Sequence, residues 1–99
     1  EKGNSSMYYV EFINDYLFWV CSGPADYQYI VELSNREYME EAMEIAEREA
    51  FKYGNVSELE GTEEYDYYFN VGYVEVVKNA LEDAGIEAYY YTEIDTKEK

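Results

Sequence analysis

Residues 7–33 hold three runs rich in aromatic and β-branched residues: MYYVEFI (7–13), YLFWVCS (16–22) and YQYIVEL (27–33). Such residues suit the pleated, half-buried surface of a sheet. The link Asn14–Asp15 is a two-residue polar connection suited to a tight hairpin, and SGPAD (22–26), with the only proline, reads as a turn. Connections this short leave no room for a crossover helix, so the three strands pair with their sequence neighbours in antiparallel fashion. An antiparallel meander is predicted.

Helical spacing follows. Ser34 is placed as an N-cap, and Glu37 three residues on completes a capping box. From there to Tyr53, the apolar positions Met39, Ala42, Met43, Ala46, Ala50 and Tyr53 fall on one helical stripe, with Gly54 as terminator. Residues 55–69 show no deciding periodicity and fit either a helical turn or a strand. Asn70 can cap a second helix over 71–84, whose inner face is Tyr73, Val76, Val77, Ala80, Leu81 and Ala84, ended by Gly85. IEAYYYTEI (86–94) gives a last strand. The predicted class is α+β: a three-stranded antiparallel meander, two helices and a C-terminal strand, in the order βββααβ. The opening EKGNSS (1–6) reads as an expression scar, residues 7–95 as a single α+β domain, and 96–99 as a frayed tail. Ninety-nine residues suffice for one modest core, and a hydrophobic content of 47% argues against disorder.

Charge is where the chain departs from an ordinary domain. It carries 23 acids and 7 bases, a net −16, and self-repulsion of that size opposes compactness. Adaptation to high salt is one explanation, but the acids are 18 Glu against 5 Asp. On a helical wheel Glu37, Glu40, Glu41, Glu44 and Glu47 fall within an arc of about 120° opposite the apolar stripe. Six carboxylates lie between residues 37 and 49, roughly one per 3 Å of helix axis, close to the ~3.4 Å per phosphate of one DNA strand. A solvated outer face would explain such a run. The second helix shows the usual form of one, with Glu75, Lys78 and Glu82 spaced for pairs of opposite sign, whereas the first helix offers only Arg48, spaced to pair with Glu44. Glu58, Glu60, Glu63, Glu64 and Asp66 extend the run, so residues 37–66 hold 11 acids and 2 bases, net −9.

Aromatics accompany these acids. Phe51 projects at about the angle of Glu40 and Glu44, either tucked beneath the following loop or exposed as an interface anchor. Tyr65, Tyr67 and Tyr68 sit at the end of the acidic run. They are either core aromatics or rigid interface residues whose rings accept arginine stacking. Carboxylates with tyrosines make a surface complementary to lysines and arginines. A negative field disfavours direct binding to nucleic acid or anionic membranes and attracts basic proteins.

The residues needed for most chemistry are missing. There is no histidine, and the only cysteine is Cys21, so histidine-based triads and structural zinc sites have no ligands or bases to draw on. The six glycines are scattered singly rather than gathered in a phosphate loop, and 58–66 lacks the spacing of a calcium loop. An enzyme is not expected, nor any cofactor or metal. A single cysteine fits a reducing cytoplasm, and no run approaches the ~20 apolar residues of a membrane span.

In size, acidity, tyrosine content and lack of catalytic residues, the chain resembles the small acidic inhibitors of phages and mobile elements, the anti-CRISPR and anti-restriction proteins of nucleic-acid-mimic type. The resemblance lies in size and composition, not in a shared motif. It implies a DNA mimic that binds the basic nucleic-acid-binding surface of a host defence nuclease, with a CRISPR effector such as Cas9 as the expected target. The partner-binding residues are then Glu37, Glu40, Glu41, Glu44, Glu47, Phe51, Glu58, Glu60, Glu63, Glu64, Tyr65, Asp66, Tyr67 and Tyr68. An immunity protein or antitoxin against one basic toxin needs the same kind of face. A scaffold or oligomerisation module would instead use its strand edges.

Overall fold

A computed structural model describes residues 8–22 and 27–92. Within them the chain is α+β, with one four-stranded antiparallel sheet and three helices in the order βββαααβ. The strands are β1 (Tyr8–Asn14), β2 (Leu17–Ser22), β3 (Tyr27–Leu33) and β4 (Ala88–Thr92), arranged in the sheet as β1-β2-β3-β4. The predicted meander is present, and the C-terminal strand extends it by pairing with β3. The opening segment 1–6, most of the 22–26 turn and the tail lie outside the described residues.

The first hairpin is shifted by one residue from the expected turn. Asn14 pairs with Leu17, which makes Asp15–Tyr16 the loop in place of Asn14–Asp15. The Asn14 side chain explains the shift: its Oδ1 accepts from the backbone N–H groups of Tyr16 and Leu17, both at 3.0 Å, so Asn14 closes the turn from the strand end. A bulge between Phe12 and Asn14 absorbs the extra residue. Register beyond it is regular, so Phe18 and Val20 of β2 face the same side as Val31 and Leu33 of β3.

That face is covered by α1 (Met39–Gly54) and α3 (Tyr73–Asp83), which pack against each other, and α1 also packs on β1. A 3-10 turn at Arg36–Tyr38 precedes α1, and its cap is Asn35, whose Oδ1 accepts from the Glu37 N–H at 3.0 Å. This replaces the expected Ser34 capping box, because a contact two residues on closes the tighter 3-10 turn. The buried stripe of α1 is Met39, Ala42, Ile45, Ala46 and Ala50. Ile45 widens the stripe beyond the sequence expectation, while Met43 and Tyr53 are half-buried at its edges.

Residues 55–69 resolve into a 3-10 turn (Val56–Leu59) and the start of a separate helix, α2 (Glu63–Val71). The predicted second helix is therefore the third. Asn70 lies inside the last turn of α2 and caps nothing; Gly72 (φ 96°, ψ 157°) separates α2 from α3 in a backbone conformation that side-chain-bearing residues avoid. The inner face of α3 is Tyr73, Val76, Val77 and Leu81, with Ala80 packed at its margin, whereas Ala84 is an exposed C-cap. Gly85 (φ 77°) then ends the helix in a Schellman motif: its N–H donates to the Glu82 carbonyl at 2.9 Å and the Ile86 N–H to the Leu81 carbonyl at 3.0 Å. Leu81 and Ile86, both buried, provide the apolar contact that accompanies this cap.

One corner of the molecule is held by tyrosines. Tyr8 of β1 meets Tyr53 of α1 (4.9 Å) and Tyr73 of α3 (5.0 Å) edge-on, while Tyr53 stacks on Tyr73 (5.5 Å) and touches Tyr68 of α2 edge-on (6.4 Å). Edge-to-face geometry sets ring edges against ring faces, worth about 0.5–1.5 kcal/mol per pair beyond area burial. Four elements meet here. No helix of the described residues is long and apolar enough to cross a membrane.

Candidate protein-interaction face

The outward side of α1 carries the acids placed there by the helical wheel. Glu40, Glu41, Glu44 and Glu47 are all exposed, as is Glu37 in the preceding 3-10 turn. The sixth carboxylate of the run, Glu49, points elsewhere: it accepts a 2.7 Å hydrogen bond from the Tyr68 hydroxyl on α2. Local helix chemistry favours some of these positions. Glu40 and Glu41 lie in the first turn of α1, and Glu63, Glu64 and Asp66 in that of α2, where negative charge complements the helix dipole. Glu44 and Glu47, in mid-helix, have no such local reason.

Neutralisation is sparse. Among the described residues the ion pairs are Arg36–Asp15 (3.6 Å) and Lys52–Glu64 (3.5 Å), both exposed and worth little. The expected Arg48–Glu44 pair is not formed, nor are the pairs spaced along the third helix, where Lys78 lies 5.7 Å from the Tyr90 ring centroid instead. No three acids among the described residues gather into a group able to hold a metal ion, so the array is open rather than chelating.

Phe51 is 67% exposed, which settles its two sequence readings in favour of an aromatic standing among carboxylates. The second acidic segment adjoins the same end of α1: Lys52 reaches Glu64, and Tyr68 ties α2 to Glu49. Glu58, Glu60, Glu63, Glu64 and Asp66 are all exposed there. Thr62 positions this segment as the N-cap of α2, accepting from the Tyr65 N–H at 3.1 Å.

The three tyrosines expected beside these acids divide. Tyr67 is exposed, and its hydroxyl accepts from the Asn79 side-chain amide at 3.2 Å. Tyr65 is half-buried and stacks on Phe69 at 5.8 Å. Tyr68 is 3% exposed and belongs to the core corner, so its assignment as a partner-binding residue is corrected. It is the one residue of α2 that is buried, which a composition-based reading cannot distinguish from its neighbours. Burial, followed by the hydrogen bond to Glu49, raises its phenol well above the ordinary range. Phe69, 68% exposed, is an aromatic that the sequence reading overlooked; the helical register of α2 was needed to find it.

Between β1 and α1, beside Phe51, lies a cavity of about 230 Å³ lined by Tyr8, Tyr9, Val10, Glu47, Ala50 and Phe51. Sequence spacing alone could not bring the two elements together. The buried thiol of Cys21 is pushed up to about 11, chiefly by loss of hydration, against a lowering hydrogen bond with Tyr9. Such a thiol is unreactive at neutral pH. The chain matches no protein-family model, no curated protein and no solved structure.

Proposed function

We propose that this domain is an acidic protein inhibitor that binds the basic nucleic-acid-binding surface of a defence nuclease and blocks DNA binding there as a DNA mimic. The observation that carries the proposal is the exposed row Glu40, Glu41, Glu44 and Glu47, which has no ion-pair partner among the described residues and runs along α1 on the side where exposed Phe51 stands. Like charges at i,i+3 and i,i+4 each cost about 0.2–0.5 kcal/mol, and a basic partner surface converts that repulsion into attraction. By the resemblance in size and composition, a CRISPR effector such as Cas9 is the target to test first, with its positively charged nucleic-acid channel as the receptor. The carboxylates set encounter rate and orientation. Phe51 and its neighbours supply the desolvated contacts that fix affinity. No catalytic step is part of this role.

The exposed aromatics favour a second reading. Phosphate imitation has no need of Phe51 and Phe69, so a dedicated basic protein, as in a toxin–immunity pair, would use them equally well. Capture of guide-loaded Cas9 on the immobilised domain, followed by elution with duplex DNA, separates the two. The proposal expects capture that DNA displaces. Capture that DNA leaves intact indicates recognition without mimicry, and the absence of capture removes Cas9 as the target.

A further inference from the structure

We infer that the cavity between β1 and α1 is a receptor for a single arginine side chain of the partner protein. The inference deepens the reading of the α1 face as the contact surface, and rests on it. At about 230 Å³ the cavity falls below the roughly 300–1,000 Å³ of small-molecule sites, yet it far exceeds the ~30 Å³ share of one water. It therefore suits one long side chain.

The lining states which one. Tyr8 and Phe51 are its aromatic residues, Val10 and Ala50 its aliphatic ones and Glu47 its one charged residue, whereas the side chain of Tyr9 alternates to the opposite face of the sheet. An open, mostly apolar groove with a carboxylate matches a side chain that lays down a methylene stem and carries a cation at its tip. Aromatic rings beside that carboxylate select arginine over lysine, because guanidinium is planar, weakly hydrated and able to stack while it pairs. Glu47 is exposed and has no ion pair among the described residues, so an incoming cation displaces no internal partner. Of the nearby cations, Lys52 is engaged with Glu64 and Arg36 with Asp15, while Arg48, next to Glu47 in the chain, forms no ion pair with it and projects about 100° away round the helix.

Position on the molecule supports the same occupant. β1 is an edge strand that pairs on one side only among the described residues, so the groove is open to a partner approaching from that side. Phe51 lies one helical turn beyond Glu47, and Glu44 nearly one turn before it, so the groove continues the acidic row. Charge complementarity therefore funnels a cation along the row and into the cavity.

The test is an amide-resolved NMR titration of the whole domain with the peptide acetyl-Gly-Arg-Gly-amide, compared with its lysine and citrulline counterparts. Saturable shifts at the amides of Val10, Glu47, Ala50 and Phe51 are expected with the arginine peptide, weaker ones with lysine and none with citrulline. Glu47→Gln and Phe51→Ala, both at exposed positions that leave the fold in place, should each weaken binding about threefold or more, whereas Glu75→Gln with Glu82→Gln, exposed on α3, should not. Shifts spread evenly over all acidic segments, equal for arginine and lysine, overturn the inference. So does an unchanged affinity in Phe51→Ala. Either failure leaves capture of a basic partner by Glu40, Glu41 and Glu44 standing, whereas saturable peptide binding without any partner capture removes the wider reading and keeps the groove.

Discussion

Tyr68 and Phe51 lie 17 positions apart and show why residue type says little until a side chain is placed. Both are aromatics amid acids, yet Tyr68 spends its hydroxyl on Glu49 inside a corner of four tyrosines, and Phe51 stands in solvent. Their substitutions should separate accordingly. Tyr68→Phe removes a hydrogen bond to a charged acceptor and should lower stability by about 1.5–3 kcal/mol in denaturant unfolding, less if Glu49 recovers a water. Phe51→Ala should change stability by no more than about 0.5 kcal/mol while weakening partner binding. Gly72→Ala tests the backbone alone: open space surrounds the position, so a cost of about 1–3 kcal/mol would come from its positive φ.

The elements that buried a full face were legible in the sequence. β1 to β3 are runs of aromatic and β-branched residues set off by short turns, α1 repeats its apolar residues at a helical period, and the wheel that put Glu40, Glu44 and Phe51 on one side of α1 needed no tertiary information. α2 escaped because it buries only Tyr68, too little for any period to show. The hairpin was misplaced by one residue because a side-chain acceptor, Asn14, outweighed the residue pair that composition favoured. Of the candidate site, the acidic row could be read from the chain, whereas the groove beside it could not, since β1 and α1 are brought together by the core. Thr62→Ala gives a direct test at this scale. Loss of the hydroxyl that accepts from Tyr65 N–H should cost about 1 kcal/mol and loosen hydrogen-exchange protection in α2 before the rest of the fold.

Across the whole molecule, a net charge of −16 should give salt two opposite effects. Screening relieves self-repulsion, so Tm should rise as salt goes from ~0.1 to ~1 M, where the Debye length falls from about 10 to 3 Å. Partner binding should fall over the same range. High pH acts in one direction only. Cys21 is raised from 9.0 to about 11 and Tyr90 from 10.0 to about 12, both mainly by burial, so the folded state holds these protons more tightly than the unfolded one. The resulting stability is full below pH 9 and is lost as pH climbs through 9 to 12, which thermal unfolding across that window would follow.

The central claim is that the row on α1 competes with DNA for a basic groove. The most direct measurement is the anisotropy of labelled duplex DNA bound to guide-loaded Cas9, titrated with the domain and with its Glu40→Lys/Glu41→Lys/Glu44→Lys variant. The account predicts that the domain releases the DNA and that the variant, still folded by circular dichroism, needs roughly 100-fold more protein, about 2.7 kcal/mol, to do so. Equal potency of the two proteins would contradict it.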